Sequence, residues 1–138
     1  LMRFSACMNV AVDLIEPCGF VLDDRRFRRS AMDYLDRLVL SRHLSWQAYY
    51  DSAPERDGRL ILLTTKAETV YTDFLFQSGD TLLVGREWAG VPDAVHVAAD
   101  ERLRVPMANK MRSLNVAVAA AMVLGEALRQ TGGFAEGQ

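Results

Sequence analysis

The sequence predicts an α/β fold, with a mainly parallel sheet and helices on both faces. Short runs of aliphatic and β-branched residues alternate along the chain with longer charged segments that have helical spacing. The chain has 138 residues, of which half are hydrophobic and a quarter are charged. This length suits one compact domain with a single core. We therefore expect residues 1–138 to form a single domain.

Four short apolar segments have the length and composition of strands. The first ends at Pro17 and Gly19, which stop a strand. The last alternates charged and apolar residues, which indicates an edge strand or a half-exposed one. The four predicted strands cover residues 10–15, 59–65, 81–84 and 102–106.

Three segments between the strands are typical of helices. Residues 23–35 are charged with scattered apolar positions, and Ser45 is a good cap for a short helix after it. The longest predicted helix covers residues 113–131, with Ser113 as its cap and Gly132 as its stop. Strands and helices that alternate in this way favour a parallel sheet.

The loops after the strands are the first places to look for a ligand, because open parallel sheets bind ligands at the carboxyl ends of their strands. Residues 85–92 follow a strand directly and contain Gly85, Gly90 and Pro92. Glycine lets a ligand approach the backbone closely, although a tight connection would explain the same residues. The chain has neither GxxxxGK[ST] nor GxGxxG, so a site for ATP or a nicotinamide is poorly supported.

Two further segments could bind anions. Asn115 falls in the first turn of the long predicted helix, where asparagine is a poor helix former and thus hints at a polar role. Ser113 by itself is explained by helix capping. Four arginines within five positions suit phosphate, although a solvated helix face is the commoner explanation for such a run. These are Arg25, Arg26, Arg28 and Arg29.

Composition excludes several other classes. A net charge of −2 argues against a protein that coats nucleic acid through bulk charge. GxSxG and HExxH are absent, and nothing in the sequence brings His43 and His96 together, so a hydrolytic triad is not indicated. Cys7 and Cys18 belong to no ligand pattern, which favours reduced cytosolic thiols and no metal. The longest apolar run, residues 116–124, is too short to cross a membrane.

Together these segments resemble the SPOUT superfamily of methyltransferases, and most closely its small branch of tRNA (cytidine/uridine-34) 2'-O-methyltransferases. The resemblance extends from about Arg3 to Gly132, nearly the whole chain. The matching stretches are LIEPCGF (14–20), DDRRFRRSAMDY (23–34), LTTK (63–66), GREWAGVP (85–92), and VPM (105–107) with RSLNVA (112–117).

The resemblance implies a C-terminal trefoil knot, whose cleft binds S-adenosylmethionine and releases S-adenosylhomocysteine. It implies methyl transfer to the ribose 2'-oxygen at the wobble position of tRNA. Arg3 would then stabilise charge that develops on this oxygen, and Ser113 and Asn115 would orient the ribose or the cofactor. By position, the residues that line the cofactor cleft are Leu63, Gly85, Gly90, Val105, Met107 and Ser113.

The resemblance also implies a cytoplasmic homodimer that binds the tRNA anticodon stem-loop and no membrane. Contacts to RNA phosphates would come from the arginine run, Arg25, Arg26, Arg28 and Arg29. The family's Asn-x-Gly turn and the strand before it do not precede Arg3 here, so we expect the domain to lack its natural N-terminal strand. Two alternatives remain open: a catalytically impaired module that binds RNA or the cofactor, and the same reaction on ribosomal RNA.

Overall fold

In a computed structural model of the protein, the chain forms two compact units. One comprises Leu1–Glu55 with Phe134–Gln138, and the other comprises Arg56–Gly133. The structure describes residues 2–15, 40–52, 58–85, 91–108 and 115–134. Each unit contains a parallel sheet, which confirms the predicted mixed α/β class. The predicted helix over residues 23–35 lies outside the described residues.

The first unit contains a two-stranded parallel sheet and two short helices. Its elements are α1 (Met2–Cys7), β1 (Val12–Ile15), β2 (Leu40–His43) and α2 (Trp46–Asp51). Strands β1 and β2 pair in register from Val12 with Leu40 to Ile15 with His43. The predicted cap of α2 is confirmed, because the Ser45 hydroxyl accepts a hydrogen bond from the Ala48 N–H at 3.0 Å.

His43 has a structural role in the first unit. Its Nε2 lies 2.8 Å from a carboxylate oxygen of Asp13 on the neighbouring strand. Its ring meets the ring of Tyr49 edge to face, with 5.1 Å between the centroids. Tyr49 is buried, so this contact fixes helix α2 against strand β2.

The second unit is built on a four-stranded sheet in which all neighbouring strands are parallel. Its elements are β3 (Leu60–Leu63), β4 (Thr69–Val70), a 3-10 turn (Tyr71–Asp73), β5 (Thr81–Leu83), α3 (Asp93–Ala98), β6 (Glu101–Arg104) and α4 (Val116–Thr131). The strand order is β4-β6-β3-β5. Leu60, Ile61 and Leu62 of the central strand β3 are completely buried, which accounts for the unbroken apolar run at this point of the sequence.

Helix α4 covers one face of this sheet. The core on that face consists of Ile61, Phe76, Leu103, Val105 and Val123. Gln130 adds polar contacts, because its side-chain oxygen accepts from the Phe76 N–H at 2.8 Å and its nitrogen donates to the Phe74 carbonyl at 2.9 Å. The helix ends at Gly132, whose φ of 67° is left-handed, as the sequence predicts. Among the described helices, none has the length and apolar character needed to cross a membrane.

The prediction of an edge position for the fourth strand is wrong, because β6 lies inside the sheet between β4 and β3. Its alternation instead reflects two differently used faces. Leu103 is buried in the core, whereas Arg102 is half-buried on the opposite face. The guanidinium of Arg102 donates to the carbonyls of His96 at 2.9 Å and Ala99 at 3.3 Å, at the end of α3. The half-exposed character was therefore predicted correctly, and its position was not.

Candidate functional site at the carboxyl edge of the sheet

Three of the predicted ligand-binding residues follow neighbouring strands of the second unit. In the parallel ladder, Leu63 is opposite Leu103, and Leu62 is opposite Leu83. Gly85 therefore follows β5, and Val105 follows β6, at the edge where Leu63 ends β3. We call this side of the sheet the carboxyl edge. The parallel pairing therefore brings these three strand ends to the same edge of the sheet.

The carboxyl edge has an apolar base. Val105 is buried in the core, and Leu63 is partly buried and packs against the same core. Gly85 and Met107 are both partly buried. The sheet ladder ends here with the Thr64 N–H, which donates to the Leu103 carbonyl at 2.8 Å. The strand ends therefore rest on the core, and the chain leaves the ladder beyond Thr64.

Asn115 is the N-cap of helix α4. Its side-chain oxygen accepts hydrogen bonds from the Ala117 N–H at 2.8 Å and the Val118 N–H at 3.3 Å. The helix therefore begins at Val116, later than the cap predicted at Ser113. The asparagine was expected to disfavour the first turn, but as a cap it stabilises the helix instead. Both capping hydrogen bonds are accepted by the side-chain oxygen Oδ1 of Asn115.

The remaining predicted site residues are described incompletely or not at all. Arg3 lies in helix α1 of the first unit, and only its backbone is described. Those outside the described residues are Gly90, Ser113, Arg25, Arg26, Arg28 and Arg29. In the ranges that are described, no group of three His, Cys, Asp or Glu side chains is arranged to hold a metal ion.

Two cations at the carboxyl edge were not singled out from the sequence. Arg104 is the last residue of β6 and is half-buried, opposite Val70 of β4. Lys66 is exposed in the short link from β3 to β4, where its N–H donates to the Thr64 hydroxyl at 3.2 Å. The sequence alternation of β6 could have indicated Arg104 as a site residue, because it places this arginine at the strand end and on the face away from the core.

The opposite side of the sheet, here called the amino edge, is closed by ionic contacts. The Arg59 guanidinium donates to both carboxylate oxygens of Asp80, at 3.0 and 2.8 Å. The Gln77 N–H also donates to Asp80 at 2.8 Å. Burial raises the pKa of Asp80, but the hydrogen bonds from Arg59 and Gln77 outweigh burial and hold this pKa below its ordinary value of 3.8. The pair joins the residues that precede β3 and β5.

Backbone contacts close the amino edge further. A Cβ atom on Gly58 would lie 1.8 Å from the carbonyl oxygen of Gly79, so the two loops touch backbone to backbone. Gly79 itself has a φ of 95°, a conformation that favours glycine. The Asp100 carboxylate accepts from the Leu60 N–H at 2.7 Å, just before β6. This edge therefore holds the strands in register rather than binding a ligand.

Comparison with known proteins identifies the family to which the chain belongs. A family model described as the SpoU rRNA Methylase family matches residues 1–125. A tRNA (cytidine(34)-2'-O)-methyltransferase from Beijerinckia indica subsp. indica is 57% identical over 136 residues, which is 99% of this chain and 85% of that protein.

Solved structures give the same result. A structure from work on the 2-OH methylation of C/U34 on tRNA has a TM-score of 0.86 and 33% identity, over 94% of this chain and 84% of that one. The SpoU methyltransferase AviRb from Streptomyces viridochromogenes, in complex with the cofactor AdoMet, has a TM-score of 0.79 and 27% identity, over 94% of this chain and 53% of that one. With its parallel sheet and converging strand ends, the chain belongs to the SpoU methylase family.

Proposed function

We propose that this chain is a tRNA 2'-O-methyltransferase that acts on the ribose of nucleotide 34, cytidine or uridine, with S-adenosylmethionine as the methyl donor. The observation that carries the proposal is the convergence of Leu63, Gly85 and Val105 at the carboxyl edge, in a chain 57% identical to a protein named for this reaction. We regard the chain as one cytoplasmic domain.

The residues at the carboxyl edge suit the proposed donor. Val105 is buried, and Leu63 and Met107 are half-buried, so the proposed cleft for the adenine and the methionine chain adjoins apolar residues. Gly85 has no Cβ to block a ring that approaches the backbone. The related AviRb structure was solved with AdoMet, which supports the same donor here. Gly90 and Ser113 complete the proposed cleft.

Bound S-adenosylmethionine supplies a methyl group on a sulfonium, and its transfer to the ribose 2'-oxygen leaves S-adenosylhomocysteine. The 2'-hydroxyl loses its proton to solvent or to a phosphate as its oxygen bonds to the methyl carbon. We assign Arg3 to the stabilisation of charge on this oxygen, because a guanidinium with a pKa above about 12 does not act as a base. Ser113 and Asn115 would orient the ribose and the donor.

We propose that the second unit contains the trefoil knot of its superfamily. Strands β3 and β4 are consecutive in the chain and are joined only by residues 64–68, yet the later strand β6 lies between them. A chain that places a later strand between two closely linked earlier ones has the strand order that threading requires. This order is the support for the proposal.

We also propose a homodimer that binds the anticodon stem-loop. On α4, Val118 is 51% exposed and Met122 is 40% exposed, and these neighbours on one helix face suit a contact with a second copy. Phosphate contacts are assigned to the arginine run, Arg25, Arg26, Arg28 and Arg29.

The test is methyl transfer from labelled S-adenosylmethionine to unmodified tRNA by wild-type protein and the Arg3→Ala variant. We expect label as a 2'-O-methyl nucleotide at position 34. Loss of one group that stabilises developing charge should lower turnover by about 100-fold or more in the variant. Arg129→Ala is the matched control, because that arginine is exposed on α4 and pairs with Glu126 at 2.8 Å.

Three outcomes would contradict parts of the proposal. Cofactor binding in calorimetry without transfer to any RNA would indicate a binding module rather than an enzyme. Label on ribosomal RNA but not on tRNA would move the reaction to the other substrate class. Equal turnover by Arg3→Ala and Arg129→Ala would remove Arg3 from the reaction.

A further inference from the structure

Arg104 differs from every other described arginine of the second unit. Arg59 pairs with Asp80, Arg102 donates to carbonyls at the end of α3, and Arg129 pairs with Glu126. Within the described part of the chain, the Arg104 side chain makes no hydrogen bond or ion pair, although the residue is half-buried. A guanidinium that loses water without gaining an acceptor is unfavourable, so an acceptor from outside the described residues is expected.

The position of Arg104 is at the carboxyl edge. It ends β6, opposite Val70 of β4, and the next residue is the buried Val105. Because strand side chains alternate, Arg104 lies on the face opposite Leu103 and away from the core under α4. It therefore stands beside the proposed cofactor cleft without being part of its apolar base.

Lys66 adds a second positive charge to the same edge. It is exposed in the link that leaves β3. The link is held in a turn, since the Ala67 N–H donates to the Thr64 carbonyl at 3.3 Å. Among the residues that the structure describes, none forms an ion pair with Lys66. Two cations at one sheet edge, one half-buried and one exposed, suit a dianionic or extended anionic ligand better than a single small carboxylate.

We propose that Arg104, assisted by Lys66, binds a backbone phosphate of the RNA substrate close to the ribose that receives the methyl group. This proposal rests on the proposed function. The planar guanidinium of Arg104 can donate two hydrogen bonds to one phosphate, which fixes the backbone in orientation as well as in position. Arg104 is thus a substrate-positioning residue, and it takes no part in the transfer of the proton.

The test compares four variants: Arg104→Ala, Arg104→Lys, Lys66→Ala and the control Arg129→Ala. tRNA binding is measured by fluorescence anisotropy from about 50 to about 200 mM salt, where each lost phosphate contact reduces the log–log slope by about one. We expect Arg104→Ala to weaken tRNA binding about 10-fold and to reduce that slope. Arg104→Lys should keep the slope but lose part of the affinity, and Lys66→Ala should have the smaller effect.

Two further measurements separate the sources of the anion. S-adenosylmethionine binding in calorimetry should be the same for Arg104→Ala and wild type. Weaker cofactor binding with unchanged tRNA binding would instead assign Arg104 to the carboxylate of the donor and overturn the proposal. In steady-state kinetics, KM for tRNA should rise while kcat at saturating tRNA is largely kept. Thermal unfolding of both Arg104 variants confirms that they fold.

The proposal and the proposed function fail in different ways. Wild-type protein that neither binds nor methylates tRNA would remove both. Wild-type protein that methylates tRNA, with Arg104→Ala indistinguishable from Arg129→Ala in tRNA affinity and salt slope, would remove only the phosphate contact.

Discussion

The two edges of the four-stranded sheet are built in opposite ways. At the amino edge, Arg59 and Asp80 satisfy each other, Asp100 accepts a backbone N–H, and Gly58 touches Gly79. At the carboxyl edge, the Arg104 side chain has no hydrogen-bond or ion-pair partner among the described residues. Polar groups at the first edge hold the strands in register, and we propose that those at the second bind a ligand. Substitutions at the amino edge should therefore change stability, and those at the carboxyl edge should change binding and turnover.

The largest effect on stability is expected for Gly58→Ala. The added Cβ would meet the carbonyl oxygen of Gly79 at 1.8 Å, and because that atom belongs to the backbone, one loop must move. We expect a loss of about 3 kcal/mol in the free energy of unfolding, measured by urea denaturation. The control is Gly125→Ala on α4, where no atom lies within 4 Å of the new Cβ and a gain of up to about 1 kcal/mol is expected. Equal effects at both glycines would show that the two loops are not packed as described.

A smaller loss is expected for Asp80→Asn, which keeps the shape of the side chain but removes its charge. Asp80 has an 8% exposed side chain and accepts three hydrogen bonds, so we expect a loss of about 2 kcal/mol near neutral pH. Turnover of the folded variant should stay near the wild-type value, because the change lies at the amino edge. A fall in turnover without a fall in stability would contradict the division between the edges.

The same variant gives a pH test. Because the pKa of Asp80 is lowered in the folded state, its contribution to stability is complete above the ordinary value of 3.8. It is lost as the pH falls through the lower folded pKa. From about pH 5 to about pH 2, wild type should therefore lose more stability than Asp80→Asn. Parallel curves for the two proteins would show that the Arg59–Asp80 pair does not form.

The smallest change in stability is expected at Asn115, where capping and catalysis can be separated. Asn115→Ala removes the cap of α4 and should cost about 1 kcal/mol. Asn115→Asp keeps the capping oxygen but lacks the amide N–H donors, so it should keep the cap of α4. If Asn115 also orients the ribose or the donor, both variants should lose about 10-fold or more in turnover. Full activity of Asn115→Asp would limit this residue to its capping role.

Four of the six described strands and the C-terminal end of α4 could be read from the sequence, because their signals are local. Apolar runs gave β1, β3, β5 and β6 but not β2, Ser45 gave the cap of α2, and Gly132 gave the end of α4. Helices α1 and α3 have only six residues each, too few for a helical period to be visible. Strand β4 has only two residues, so no alternation marks it.

Strand order could not be read in the same way, because it depends on contacts between distant residues. The charged positions of β6 suggested an edge strand, since Arg102 and Arg104 looked like solvent-facing groups. In the structure the end of α3 supplies acceptors for Arg102, which allows an arginine in an interior strand. For the site, the strand-end rule indicated the loops after residues 65, 84 and 105, and the family resemblance assigned Leu63, Gly85 and Val105 to the cofactor. Arg104 was singled out only in the structure, where the other described arginines of the unit have hydrogen-bond or ion-pair partners.

The position of β6 also has a consequence for how the protein is made. Strands β3 and β4 leave a gap that only residues 101–104 fill, so a nascent chain that ends before them exposes the apolar sides of β3 to the solvent and to other chains. Contacts between residues so far apart in sequence form slowly. During translation this unit should therefore fold only after β6 and α4 have been synthesised. A truncation that removes β6 and α4 should yield an aggregating fragment rather than a smaller folded domain.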